Sequence, residues 1–131
     1  MSFILKIPSN KFLIELHNRE RKKSWFSELP ILVKDDTLEE YAYEWVKYMA
    51  AIKKLKHSKI KDIMQLGFSA AGENIAYGQK DEESVMKTWM RSFGHRRNIM
   101  SKSYNRIGCA SKYSEDNVLY WCVCFGKKIK S

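Results

Sequence analysis

Near the C-terminus of the chain, Leu119, Trp121, Val123 and Phe125 alternate with Tyr120, Cys122 and Cys124, so an extended backbone here shows apolar side chains on both faces. A strand of that kind is central in its sheet, with helices covering it above and below. Arg106 to Tyr113 forms the other arm of a hairpin that turns through the polar Ser114-Glu115-Asp116-Asn117, and Val118 to Gly126 returns. The expected fold is α+β, a three-layer α-β-α sandwich around a small central, mainly antiparallel sheet. At 131 residues the chain has room for one core, and residues 1–131 are read as a single domain.

Periodicity and capping place the helices. Ser9 or Asn10 can cap a first helix that turns Phe12, Leu13 and Leu16 inward and ends by Lys23. Leu29-Pro30-Ile31-Leu32-Val33 reads as a short edge strand or extended segment, because its proline cannot donate to a central ladder. Thr37-x-x-Glu40 has the form of a capping box and opens a second helix, whose Leu38, Tyr41, Ala42, Trp45, Met49 and Ile52 share one face. His57 to Ala71 is irregular, a long connection of the sort that wraps a site, and a strand begins at Glu73 and runs to Gly78. Asp81 caps a third helix with Glu82 and Glu83 in its first turn, Lys87 and Arg91 near its end, and Val85, Met86, Trp89 and Met90 as its buried stripe. Gly94 is expected to end that helix, and Arg96 to Met100 to form a further helical turn.

Three cysteines, Cys109, Cys122 and Cys124, are too few and too odd in number for a disulfide scaffold. They are expected to be buried thiols acting as small hydrophobes, with a Cys109 bridge to a neighbouring strand as the alternative, and their spacing matches no zinc pattern. The net charge of +9 arises from 24 Lys and Arg against 15 Asp and Glu, but these cations are scattered and lack both a nucleic-acid motif and interleaved aromatics. Specific nucleic-acid binding is therefore not expected. No apolar run approaches the roughly 18 residues of a membrane span. Phe3-Ile4-Leu5 is too short an apolar run for a signal peptide, so the chain as it stands is expected to act in the cytosol, to leave by lysis, or to have lost a leader.

Several short segments carry a stronger message in their order. They are Leu16-His17-Asn18-x-x-Arg21, Leu38-x-x-x-Ala42, Leu55-x-His57-Ser58, Gly72-Glu73-Asn74-Ile75-Ala76, Trp89-x-x-Ser92-x-Gly94-His95-Arg96-x-Asn98-Ile99, Tyr104-x-x-Ile107-Gly108 and Tyr120-Trp121-x-x-x-Phe125-Gly126. From about Phe12 to Gly126 the chain resembles the CAP superfamily, or SCP domain, of cysteine-rich secretory proteins, antigen five and pathogenesis-related proteins of class one, and within it the bacterial type. The resemblance implies the same three-layer sandwich and a polar cleft lined by His57, Glu73 and His95, with Ser92 and Asn74 beside them. It also implies that His57, His95 and Glu73 are the set that would hold a metal, with Zn²⁺ as the one cofactor expected. Many eukaryotic relatives carry a second glutamate where this chain has Ser92, so a four-ligand tetrad is not expected.

The residues leave two readings of His57 and His95 open, as metal ligands or as hydrogen-bonded ties between the loop and the third helix. His17 is expected to pack or cap rather than to enter the cleft. Asn74 and Asn98 are read as satisfying backbone groups around it, and Arg96 as doing the same through its planar fork or pairing with a carboxylate. No catalytic residue is assigned: Ser92, Ser101 and Ser103 lie near His95 in sequence, but none sits in a nucleophile elbow. The leading expectation is a binding or interaction protein whose cleft takes a divalent metal or a small polar or lipid ligand, with a protein partner also admitted. A metal-assisted hydrolase of peptide or cell-wall material and a basic module for anionic membranes or polyanions are the alternatives.

Overall fold

The computed structural model describes residues 5–25 and 27–129. The elements are α1 (Asn10–Lys22), β1 (Val33–Lys34), α2 (Asp36–Ile52), α3 (Ile60–Met64), β2 (Ala70–Tyr77), α4 (Glu82–Met90), α5 (Phe93–Ile99), β3 (Arg106–Tyr113) and β4 (Leu119–Lys127). One sheet runs in the order β1-β3-β4-β2, with β1 parallel to β3 and the other pairs antiparallel. Leu119 to Gly126 of β4 are all buried, as a covered interior strand requires. Leu38, Ala42, Val46 and Met49 of α2 and Ile63 of α3 cover the face that carries Cys122 and Cys124. Leu13 of α1, Val85, Met86 and Trp89 of α4 and Ile99 of α5 cover the opposite face, against Trp121, Val123 and Phe125. The three-layer α-β-α sandwich is thus the architecture observed. No helix among the described residues is long and apolar enough to cross a membrane. Of Phe3-Ile4-Leu5, the first two residues lie outside the described residues.

Local signals set most helix starts. Ser9 accepts from the Phe12 N–H and Asp81 from the Ser84 N–H, each capping the helix that follows. Glu82 does more than favour its helix dipole: buried, it accepts the Ser9 N–H at 2.6 Å and joins the starts of α1 and α4. At α2 the capping box does not form. Asp35 is the cap, accepting from the Leu38 N–H, because its own N–H is held by the Ile107 carbonyl and the chain turns into helix directly from that last sheet contact. Ile52 lies at the exposed end of α2 and Val46 takes a core position in its place. The connection after His57 contains α3, whose Ile63 is buried under α2. Gly94 does not end a helix. α4 stops at Met90, and Gly94 lies inside α5.

The three thiols are free and buried, and they divide between layers: Cys109 faces α1 and α4, whereas Cys122 and Cys124 face α2. That division removes the Cys109 bridge. Burial pushes the Cys109 and Cys122 thiols well above their ordinary pKa.

His17 packs in the interior, its ring tilted against Trp89 and Phe125. Nδ1 lies 2.8 Å from the Leu13 carbonyl, which as a pure acceptor makes Nδ1 the protonated nitrogen, and Nε2 meets no hydrogen-bond partner among the described residues. Burial lowers the His17 pKa from 6.5 to about 4. The unfolded chain therefore takes up this proton near pH 6.5 and the folded one does not, so the stability held above pH 6.5 drains away as the pH falls to 4. The loss is about 3 kcal/mol. Urea unfolding at pH 7 and pH 4 should show the wild type losing that much more than His17→Phe; an equal loss in both proteins would overturn the assignment.

Candidate functional site at the outer edge of the sheet

β2 lies at the edge of the sheet, and its alternation sends neighbouring residues to opposite layers. Glu73 pairs across the ladder with Cys124 and faces α2 and α3, while Asn74 pairs with Val123 and faces the other layer. The candidate residues therefore gather around both sides of one strand. His57 and Ser58 reach Glu73 from the connection after α2, and His95 reaches Asn74 from α5.

The Glu73 carboxylate is held firmly. Oε1 accepts from the Ser58 backbone N–H at 2.9 Å and from His57 Nδ1 at 2.9 Å, and Oε2 accepts from the Ser58 hydroxyl. The Glu73 side chain is fully buried while that of His57 is 60% exposed, so the pair runs from the interior to solvent. An ionised carboxylate only accepts, which places the His57 proton on Nδ1 and leaves the Nε2 lone pair directed away from Glu73. Tyr41 lies on the same side. Its phenol pKa is raised by burial first, with the nearby Glu73 charge adding to the rise against a lowering hydrogen bond from Ser58.

On the other side, His95 Nδ1 and Ser92 Oγ share a hydrogen bond of 2.9 Å. Ser92 stands at the N-cap of α5, yet its hydroxyl makes no capping bond and serves the imidazole instead. Asn74 Nδ2 donates to the His95 carbonyl at 3.0 Å, and Asn98 Nδ2 donates to Asn74 Oδ1 at 2.8 Å and to the Glu73 carbonyl at 3.2 Å. These two amides tie α5 to β2 and set where the His95 ring stands. The His95 pKa is lowered, by burial first and by repulsion from His57 second, which puts the two imidazoles within electrostatic reach of each other.

Of the serines near His95 in sequence, Ser92 is the one bonded to the imidazole; Ser101 instead accepts from the Ser103 N–H. His17 stays in the core, away from this edge. Glu73 does not close with His57 and His95 into a set whose ligand atoms all lie within 4.8 Å; among the described residues the group that does is Glu73 with Cys122 and Cys124. Sequence reading missed this group, because only the β2–β4 register brings Glu73 beside Cys124. Ser58 was legible as part of a motif, but not as the main anchor of Glu73.

A second anchor was also hidden. Arg21, only 3% exposed, donates all five guanidinium N–H groups to carbonyls: those of Pro30 twice, Ile99, Ser101 and Tyr104. It thereby fastens the end of α5 and the following loop to α1. Tyr104, in turn, donates its hydroxyl to the Ala71 carbonyl at the start of β2.

The model of the family described as CAP, the Cysteine-rich secretory protein family, matches residues 14–125. The uncharacterized protein YkwD of Bacillus subtilis (strain 168) is 37% identical over 106 residues, which cover 75% of this chain and 40% of that protein. The chain thus spans less than half the length of the curated relatives it matches. An outer surface protein from Borrelia burgdorferi superposes with a TM-score of 0.80 at 25% identity, covering 91% of this chain and 92% of that one. NaASP2, solved with Zn²⁺, superposes with a TM-score of 0.66 at 17% identity, covering 90% and 82% of the two chains.

Proposed function

Because the chain belongs to the CAP family of cysteine-rich secretory proteins and has bacterial SCP domains among its relatives, we propose that it is a binding protein whose edge groove holds a divalent cation, Zn²⁺ foremost, between His57 and His95. The observation that carries this reading is the buried Glu73 carboxylate on His57 Nδ1, which turns an unprotonated Nε2 outward. A carboxylate behind a ligating imidazole is the usual support of such a ligand. His95 has its Nδ1 engaged by Ser92, so its Nε2 is likewise the nitrogen left to a ligand. The site in this reading has two imidazoles and is completed by water or by a polar group of a partner. Glu73 supports it from behind, in place of the three-ligand set expected from the resemblance. NaASP2, a protein of the same fold, was solved with Zn²⁺, which agrees with a metal at this fold without locating it here. A bound cation would supply Lewis acidity. The Glu73 oxygens, however, are engaged by Ser58 and His57 rather than open to a water, which favours binding over hydrolysis.

Zinc titration near pH 8 tests this, in the Cys122→Ala, Cys124→Ala background so that thiols do not contribute. At a hundredfold excess over Kd the metal should stabilise the fold by about 2.7 kcal/mol. His95→Ala in the same background should lose the gain. Glu73→Gln should weaken the affinity about 10- to 100-fold, as expected for a supporting carboxylate. A melting temperature that does not move with zinc, or that moves equally after His95→Ala, would sink the reading.

A further inference from the structure

Beneath the His57–Glu73 pair lies a chemically distinct set of groups. Cys122 and Cys124 are two apart on β4, so both side chains enter the layer under α2, and their Sγ atoms stand 3.9 Å apart. Glu73, paired with Cys124 across the ladder, brings a carboxylate oxygen within 4.8 Å of both sulfurs. A tetrahedral zinc ion with Zn–S bonds of about 2.3 Å needs its two sulfurs about 3.8 Å apart. The pair already has that spacing, without movement of the strand.

From this geometry we infer that Glu73, Cys122 and Cys124 form a second, inner site for a thiophilic d¹⁰ cation of the Zn²⁺ and Cd²⁺ class. The donor set is two thiolates and a carboxylate. Soft sulfur ligands select such ions over Mg²⁺ and Ca²⁺. On binding, the cation replaces the two thiol protons, which leave to solvent, and two metal–sulfur bonds form. No oxidant or reductant takes part. Cys109 cannot join, since it lies in the opposite layer. On the solvent side of the buried Glu73 stands His57, whose side chain is 60% exposed. The site shares Glu73 with the two-imidazole reading, but its two sulfurs come from β4 and take no part in that reading.

The experiment is titration of the reduced full chain with Cd²⁺ alone, reading the ultraviolet cadmium–thiolate charge-transfer absorption. One equivalent should raise the band, both in the native protein and in protein refolded from denaturant with Cd²⁺ present. The band should survive His95→Ala, which removes one of the two proposed imidazole ligands, and Cys109→Ala. It should disappear in Cys122→Ala and in Cys124→Ala, with circular dichroism confirming that these variants fold. A wild-type protein that shows no band by either loading route overturns the inference. So does a band that persists in the Cys122→Ala, Cys124→Ala double variant. Cadmium bound without a thiolate band and lost in His95→Ala would place the metal in the groove and leave only the outer site.

Discussion

Gly108→Ala should destabilise the fold by about 4 kcal/mol, enough to lower Tm by roughly 15 °C in a chain of this size. A methyl carbon at Gly108 would stand 2.2 Å from the Glu39 nitrogen and 2.3 Å from the Leu38 carbonyl carbon. Both are backbone atoms in the first turn of α2, so no side chain can swing aside. Relief requires the whole helix to lift off β3, opening contacts that bury Leu38 and Ala42. Thermal unfolding followed by circular dichroism checks this; a Tm within a few degrees of the wild type would mean that α2 does not rest on β3 so closely. Gly72 and Gly126 are also tight, but there the nearest atoms belong to the Tyr104 and Phe68 side chains, and the same change should cost less.

An effect of similar size is expected from Arg21→Met. The replacement keeps the length of the side chain and removes every donor from the carbonyls of Pro30, Ile99, Ser101 and Tyr104. Buried acceptors left without donors cost about 1–3 kcal/mol each, and because the four share one cation the total should be near 4 kcal/mol rather than their sum. Burial lowers the Arg21 pKa to about 10, which still leaves the guanidinium charged at neutral pH, as favours a cation at the carbonyl end of α5. Arg21→Lys should recover little, since an ammonium has three donors and no planar fork. Urea unfolding measures the loss. Hydrogen exchange should also show faster opening at residues 99–104 than at β4, and uniform protection in the variant would refute the anchoring role. Through α5 the same change should weaken the zinc binding proposed at His95, although Arg21 touches neither imidazole.

The ordered motifs made the family legible, and their physical content is now visible residue by residue. The motif glycine Gly108 marks a close approach of a helix to a strand, and the motif arginine Arg21 a cage of carbonyls. Asn18 belongs to the same class: its amide both donates to and accepts from Leu32, pairing with the chain before β1 as a neighbouring strand would. Asn74 and Asn98 do satisfy backbone groups, those of His95 and Glu73 where α5 meets β2, as their amide chemistry suggested. The capping box at Thr37 was misleading because its form is local. Asp35, two residues earlier, had already been anchored to Ile107 by the sheet, and a cap is chosen where the backbone must turn.

From the sequence alone follow the covered strand at Leu119 to Gly126, the hairpin before it, the helices begun by Ser9 and Asp81, and the burial of three thiols. All of these rest on alternation, on helical period or on a cap three residues away, interactions between near neighbours that the order of residues specifies directly. Only the tertiary structure decided that Glu73 and Asn74 part to opposite layers, that Glu73 closes on His57 and Ser58, and that Arg21 finds its partners as far away as Tyr104. The β2–β4 register likewise decided that Glu73 stands beside Cys124. Such contacts join residues widely separated along the chain. Their geometry depends on how the strands pair and the layers pack, because buried donors and acceptors must find partners wherever the closed fold brings them.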